Sequence, residues 1–166
     1  MDKSVKLKKG SQIITKAAHD ISGDVLVIQM GSNGGWNDYD ELIEQYKAMI
    51  ANSGTECYII IGDTDNPEES VDSANYTSSQ EIGTDDSMWE AALREAFGEH
   101  FINMRTYLLE NALNIAGLEP TQMDEEDLSQ GRVPETIKYD YTHLNSYGYY
   151  AIGYGVYEKG LELGYW

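Results

Sequence analysis

A chain of 166 residues is long enough for one domain with a single core, and not much more. Its 29 acidic residues against 11 Lys plus Arg give a formal charge of −18, a field that repels duplex DNA, RNA and anionic membrane surfaces. Cys57 is the only cysteine, which excludes an internal disulfide and a cysteine-built zinc cage and leaves the redox compartment open.

No apolar run approaches a membrane span. Met1 to Lys9 is basic with no apolar stretch behind it, which is not the form of a signal peptide. The compartment is not fixed by the sequence, and a secreted or cell-surface parent is compatible with it.

In chain order, Val5 and Leu7 alternate with lysines as a short strand. Ser11 to Asp20 places Ile13, Ile14, Ala17 and Ala18 on one helical face. Val25 to Met30 is a continuous apolar, β-branched run, which predicts a strand buried on both faces, as in a parallel sheet. Gly31-Ser32-Asn33-Gly34-Gly35 follows at once. Asn37 is the expected cap of a helix reaching about Asn52. Cys57 to Ile61 predicts a second buried strand.

Asp63 to Asp86 is long, polar and without period, the form of either a functional flap or a disordered loop. Ser87-Met88-Trp89-Glu90 has the spacing of a capping box and opens a helix to about Phe97. His100 to Met104 predicts a third strand, Thr106 to Ala116 a helix closed by Gly117, and Thr121 to Gln130 a short helix capped by Thr121. Val133 to Tyr141 reads as loop, and Tyr147 to Leu163 as a last covering helix. Its tyrosines Tyr147, Tyr149, Tyr150, Tyr154 and Tyr157 are either an aromatic carbohydrate platform or half-buried core, and their helical spacing favours core.

Buried strands alternating with helices predict a three-layer α/β/α sandwich around a parallel sheet. Ligands then sit at the carboxyl ends of the strands. Two polar motifs fall at such ends. In Asp140-Tyr141-Thr142-His143 the carboxylate can hold one imidazole nitrogen and leave the other as a base, the orienting half of a Ser-His-Asp device. Asn33, just past the first buried strand, can aim a neutral donor at the oxyanion of an acyl-transfer intermediate. Asn33 also fits a glycine-rich turn in which it merely accepts a left-handed backbone.

The remaining candidates are weaker. Asp63-Thr64-Asp65-Asn66 offers oxygen ligands to Ca²⁺ but lacks the glycine and terminal Glu of an EF-hand loop. His19 and His100 have no ligand-spaced partner and read as structural or surface residues. Arg105 suits an anionic substrate group or, more simply, an ion pair.

Taken together, these blocks resemble the C-terminal part of an SGNH (GDSL-type) hydrolase. The family's third block, Gly-x-Asn, matches Gly31-Ser32-Asn33, and its fifth, Asp-x-x-His, matches Asp140-Tyr141-Thr142-His143. Ser11 to Thr15, Asn33 to Trp36, Phe101 to Leu108 and His143 to Tyr149 are similar to a bacterial subgroup. The resemblance implies a flavodoxin-like sheet of order 2-1-3-4-5. It also implies a general base at His143 oriented by Asp140 and an oxyanion donor at Asn33. Gly31 and Trp36, on the same turn, are candidates for substrate contact, Trp36 either walling a sugar or acyl pocket or packing as a cap on the sheet edge. No cofactor and no metal is implied. The implied activity is that of an ester hydrolase acting on a small-molecule or carbohydrate ester, with acetylated carbohydrate the substrate class.

Two departures qualify the resemblance. The family's Gly-x-Asn-Asp reads Gly31-Ser32-Asn33-Gly34, without the Asp. The first block, Gly-Asp-Ser with the nucleophile, and the second, with a glycine oxyanion donor, have no counterpart, so no serine is assigned. The simplest expectation is a chain lacking its N-terminal portion, residues 1–10 being the tail of a preceding segment and 11–166 a partial domain. The other reading is a non-catalytic binding or interaction module on the same scaffold. If the preceding strands are missing, Val25 to Met30 forms an open sheet edge, an invitation to self-association.

Overall fold

The structure is a computed structural model in which residues 8–10, 23–64 and 87–166 are described. The expected strand at Val5 to Leu7, the helix at Ser11 to Asp20 and all but the first two residues of the Asp63 to Asp86 loop lie outside them.

The architecture is mixed α/β. Strands β1 (Leu26–Gln29), β2 (Tyr58–Ile61) and β3 (Phe101–Ile102) form a parallel sheet of order β1-β2-β3. Leu26 pairs with Tyr58 and Gln29 with Ile61, while Ile60 pairs with Phe101. Between and after them run α1 (Tyr39–Ser53), α2 (Met88–Phe97), α3 (Met104–Ala116), α4 (Gln122–Ser129) and α5 (Ser146–Glu162).

Side chains on a strand alternate between faces, and β2 divides the core accordingly. Ile59 and Ile61 join Ile102 in a cluster with Met104, Leu108 and Ala112 of α3 and Ala151 and Ile152 of α5. Ile60 joins Ile28 and Phe101 against Leu42 and Tyr46 of α1 and Trp89, Leu93 and Phe97 of α2. Helices thus cover both faces. Ile59 and Ile60 are fully buried, and each such side chain stabilises the fold by roughly 1.5–3 kcal/mol through area removed from water.

Three expectations need correction. The run from Val25 to Met30 is not buried on both faces: Val27 is 43 % exposed and Gln29 is exposed, because the cluster that α3 and α5 form on that face packs on β2 and β3 and takes in no residue of β1. The cap of α1 is Asp38, which accepts from the Glu41 amide at 2.8 Å; Asn37 sits one residue outside and donates to the Glu41 carboxylate. The third strand is only Phe101–Ile102, because Gly98–His100 forms a 3-10 turn before it and Asn103 caps α3 directly after it. The Ser87–Glu90 capping box forms as its spacing requires, and Thr121 caps α4 as expected, with Asp124 adding the return bond of a second box.

Candidate functional site

The Asp140–His143 loop begins with a buried anchor. Asp124 on α4 is fully buried and accepts from the amide and hydroxyl of Thr121 and from the amide and hydroxyl of Thr136. Burial pushes its carboxyl up, but the hydrogen bonds from Thr136 and Thr121 outweigh that and hold it at about 2. This ties α4 to the 3-10 turn Glu135–Ile137, which the sequence suggested only as loop.

From Ile137 the chain makes a closed excursion to Asn145. Lys138 and Leu144 pair as an antiparallel bridge, the Tyr139 amide donates to the His143 carbonyl at 2.7 Å, and the Asn145 amide donates to the Ile137 carbonyl at 2.9 Å. The Asn145 side chain works in both directions. Its oxygen caps α5 by accepting from the Tyr147 and Gly148 amides, and its Nδ2 donates to the Thr136 and Lys138 carbonyls. A helix N-terminus and a loop are therefore locked by one residue.

Asp140 and His143 lie within this excursion. Asp140 Oδ1 accepts from the His143 amide at 2.7 Å and the Thr142 amide at 2.9 Å, and both carboxylate oxygens stand 2.9 Å from His143 Nδ1. The His143 amide, the His143 ring and the Thr142 amide together hold the Asp140 carboxyl at about 2, so it is ionised at neutral pH. An ionised carboxylate can only accept, which makes Nδ1 the protonated nitrogen of the neutral ring. The lone pair is left on Nε2, which has no hydrogen-bond partner among the described residues. The imidazole is 66 % exposed.

The position of this loop follows from the direction of α5. Just beyond its end, the Tyr165 hydroxyl meets the backbone of Tyr58 at the start of β2 and His100 Nδ1 at 2.9 Å, next to the start of β3. The helix has 17 residues, a span of about 25 Å. Its C-terminus is at the amino ends of the strands, so its N-terminus, with His143 just ahead of it, lies toward their carboxyl ends.

The β1 loop occupies that same side. The Met30 carbonyl accepts from the Tyr46 hydroxyl at 2.6 Å, and the Gly31 carbonyl from the Trp36 indole at 3.0 Å. Burial is the main reason the Tyr46 phenol is pushed up to about 12. Gly31 has φ 109°, and a Cβ there would stand 2.7 Å from Trp89 Cζ2. Trp36 is half-buried against Tyr39 and Trp89. Asn33 is exposed, and no described residue other than glycine has positive φ, so Asn33 does not serve as a left-handed turn residue. No hydrogen bond among the described residues joins Asn33 to His143.

The structure gives these and neighbouring residues partners that the sequence did not indicate. Ser32 Oγ donates to Asp63 Oδ1 at 3.2 Å, joining the loops after β1 and β2; Asp63 is buried and also accepts from the Thr64 amide. Asn145, directly ahead of α5, carried a readable cap signal, whereas Thr136 as a partner for Asp124 had none. Arg105 is buried in a bidentate pair with Glu90, at 2.9 and 3.3 Å, rather than presented to solvent. His100 stacks on Tyr58 with ring centroids 4.1 Å apart, a packing role. No group of three or more His, Cys, Asp or Glu among the described residues could hold a metal ion. No described helix is long and apolar enough to cross a membrane.

Compared with known proteins, the chain matches no family model, no curated protein and no solved structure.

Proposed function

We propose that this chain carries the base-and-orienter half of an SGNH-type ester hydrolase, on a flavodoxin-like α/β/α sandwich, with acetylated carbohydrate as the substrate class. The observation that carries the reading is the Asp140–His143 pair. A carboxylate held ionised grips Nδ1 from both oxygens and leaves Nε2 as the basic nitrogen.

In this reading Nε2 removes the proton of a serine hydroxyl as the oxygen attacks the ester carbonyl, then returns it to the departing alkoxide. Asp140 stabilises the imidazolium formed between the two steps. Asn33 Nδ2 donates to the oxyanion, a contribution of roughly 3 kcal/mol for one such donor. The serine belongs to the family's first block, which this sequence does not contain. Gly31 and Trp36 shape the loop that carries Asn33.

The test is hydrolysis of p-nitrophenyl acetate by a polypeptide in which a strand and a Gly-Asp-Ser block precede this chain. His143→Ala should reduce kcat to the uncatalysed background. Undiminished turnover in that variant removes His143 from the chemistry. The exposure of the imidazole favours one other reading, a binding module that kept the scaffold without the reaction. That reading requires an acetylated oligosaccharide to bind with unchanged affinity to wild-type and His143→Ala protein, neither of them showing turnover.

A further inference from the structure

We propose that α5 is a dimerisation helix, pairing antiparallel with α5 of a second copy of this chain. The inference stands apart from the hydrolase reading.

The helical spacing of the tyrosines favours core, but α5 buries the opposite set. Gly148, Ala151, Ile152, Gly155 and Gly160 face inward, while Tyr147, Tyr150, Tyr154, Tyr157 and Leu161 are between 39 % and 58 % exposed. Their spacings are 3, 4, 3 and 4, a heptad seam, with Tyr149 (57 % exposed) the one exposed tyrosine of the helix that lies beside it. Tyr154 and Tyr157 lie 6.2 Å apart, and Trp166 stacks on Tyr157 at 6.4 Å, extending the seam. A seam of this period is the complement of another helix.

A glycine gives a second observation. A Cβ at Gly148 would meet the Ile137 carbonyl at 2.7 Å, at Gly155 the Tyr107 ring at 2.8 Å and at Gly160 the Trp166 ring; the fold explains all three. At Gly153 a Cβ would meet nothing within 4 Å, and its φ is not positive. A mid-helix glycine is destabilising relative to alanine. Gly153 is exposed and lies one turn from both Tyr150 and Tyr157, a notch beside the seam that suits close approach of a second backbone.

The occupant is a second copy on two grounds. From Leu144 to Tyr157 no side chain is charged, and only Glu158, Lys159 and Glu162 flank the seam beyond, so two chains of −18 meet here with little repulsion. An antiparallel pair about Tyr154 is also self-complementary, setting Tyr150 against the partner's Tyr157 and Tyr147 against the partner's Leu161. Aromatic side chains bury about 150–250 Å² each, so the half-exposed seam supplies on the order of 500 Å² per copy, below the roughly 800 Å² per partner of a standard stable interface. The dimer is therefore reversible.

Sedimentation of the 166-residue chain between about 1 µM and about 1 mM, a range in which small interfaces associate, should show a monomer–dimer equilibrium. Added salt should tighten it by screening the repulsion. Tyr154→Lys with Tyr157→Lys should abolish the dimer. Gly153→Ala should weaken it about 10-fold while raising the thermal stability of the monomer. A monomer at every concentration overturns the proposal. So does association unchanged in the lysine variant, or abolished instead by Val27→Lys, which would assign it to the edge of β1. A monomer whose Trp166 fluorescence shifts with cellohexaose overturns it too and gives the face to a sugar.

Discussion

Thr136 donates its amide and its hydroxyl to the carboxylate of Asp124, at 2.9 and 2.6 Å, across twelve residues of chain. Thr121 supplies the other bonds, and the result is a fully buried carboxylate that remains ionised. The loop bearing Asp140 and His143 leaves directly from this anchor.

Asp124 should put an acid limb on the stability curve. Its folded-state pKa of about 2 lies below the ordinary aspartate value of 3.8, so its contribution is fully present above about pH 4 and is lost as pH falls toward 2. By linkage the loss is about 2 kcal/mol. Urea melts of wild type and Asp124→Asn at pH 7 and pH 3 should show the variant less stable at pH 7, with the difference shrinking at pH 3. A constant difference would mean that the carboxylate is not held ionised by these bonds.

At the candidate site the expected effect is on the tautomer. Asp140 makes Nδ1 the protonated nitrogen of neutral His143. In Asp140→Ala the ring should move toward the Nε2-protonated form and lose its basic outward nitrogen. Long-range ¹H–¹⁵N correlation spectra of the ring at a pH where it is neutral would show the exchange. An unchanged tautomer would remove the orienting role of Asp140.

Arg105 and Glu90 form a buried pair that also belongs to the cap of α2, since the Ser87 amide donates to Glu90 at 2.6 Å. Arg105→Ala or Glu90→Ala alone should cost about 3–5 kcal/mol by stranding the other charge, whereas replacing both with Met should cost much less. Chemical denaturation of the three variants checks this. Equal losses in all three would show that volume, not charge pairing, is what the site requires.

Gly31→Ala should destabilise the chain by roughly 2–4 kcal/mol. The left-handed φ of 109° and the 2.7 Å approach to the Trp89 ring both act against a side chain. Gly34→Ala has positive φ without the clash and should cost about 1 kcal/mol. Thermal melts of the pair separate backbone strain from steric contact.

Much of the helical framework and one local part of the site were legible in the residues. The capping box at Ser87 and the cap at Thr121 each span a single turn, so local spacing suffices to read them. Asp140 and His143 are likewise three residues apart, and local backbone can bring them together without help from the rest of the chain. The apolar run of β2 required burial on both faces, and the fold supplies it.

The face of α5 was decided by the tertiary structure. Tyrosine tolerates water at its hydroxyl, so its helical spacing cannot say which side is inward. Glycine permits the close approach of Gly155 to Tyr107 and of Gly148 to the Ile137 carbonyl, and that approach turns the tyrosines out. Pairing between distant residues was decided in the same way. Ser32 meets Asp63 because β1 and β2 end in register, and Arg105 finds Glu90 because α3 and α2, on opposite faces, both start at the carboxyl end of the sheet. Residues one turn apart are fixed by local backbone geometry and can be read from the sequence; residues joined across the sheet depend on strand register and helix packing, which exist only once the chain has folded.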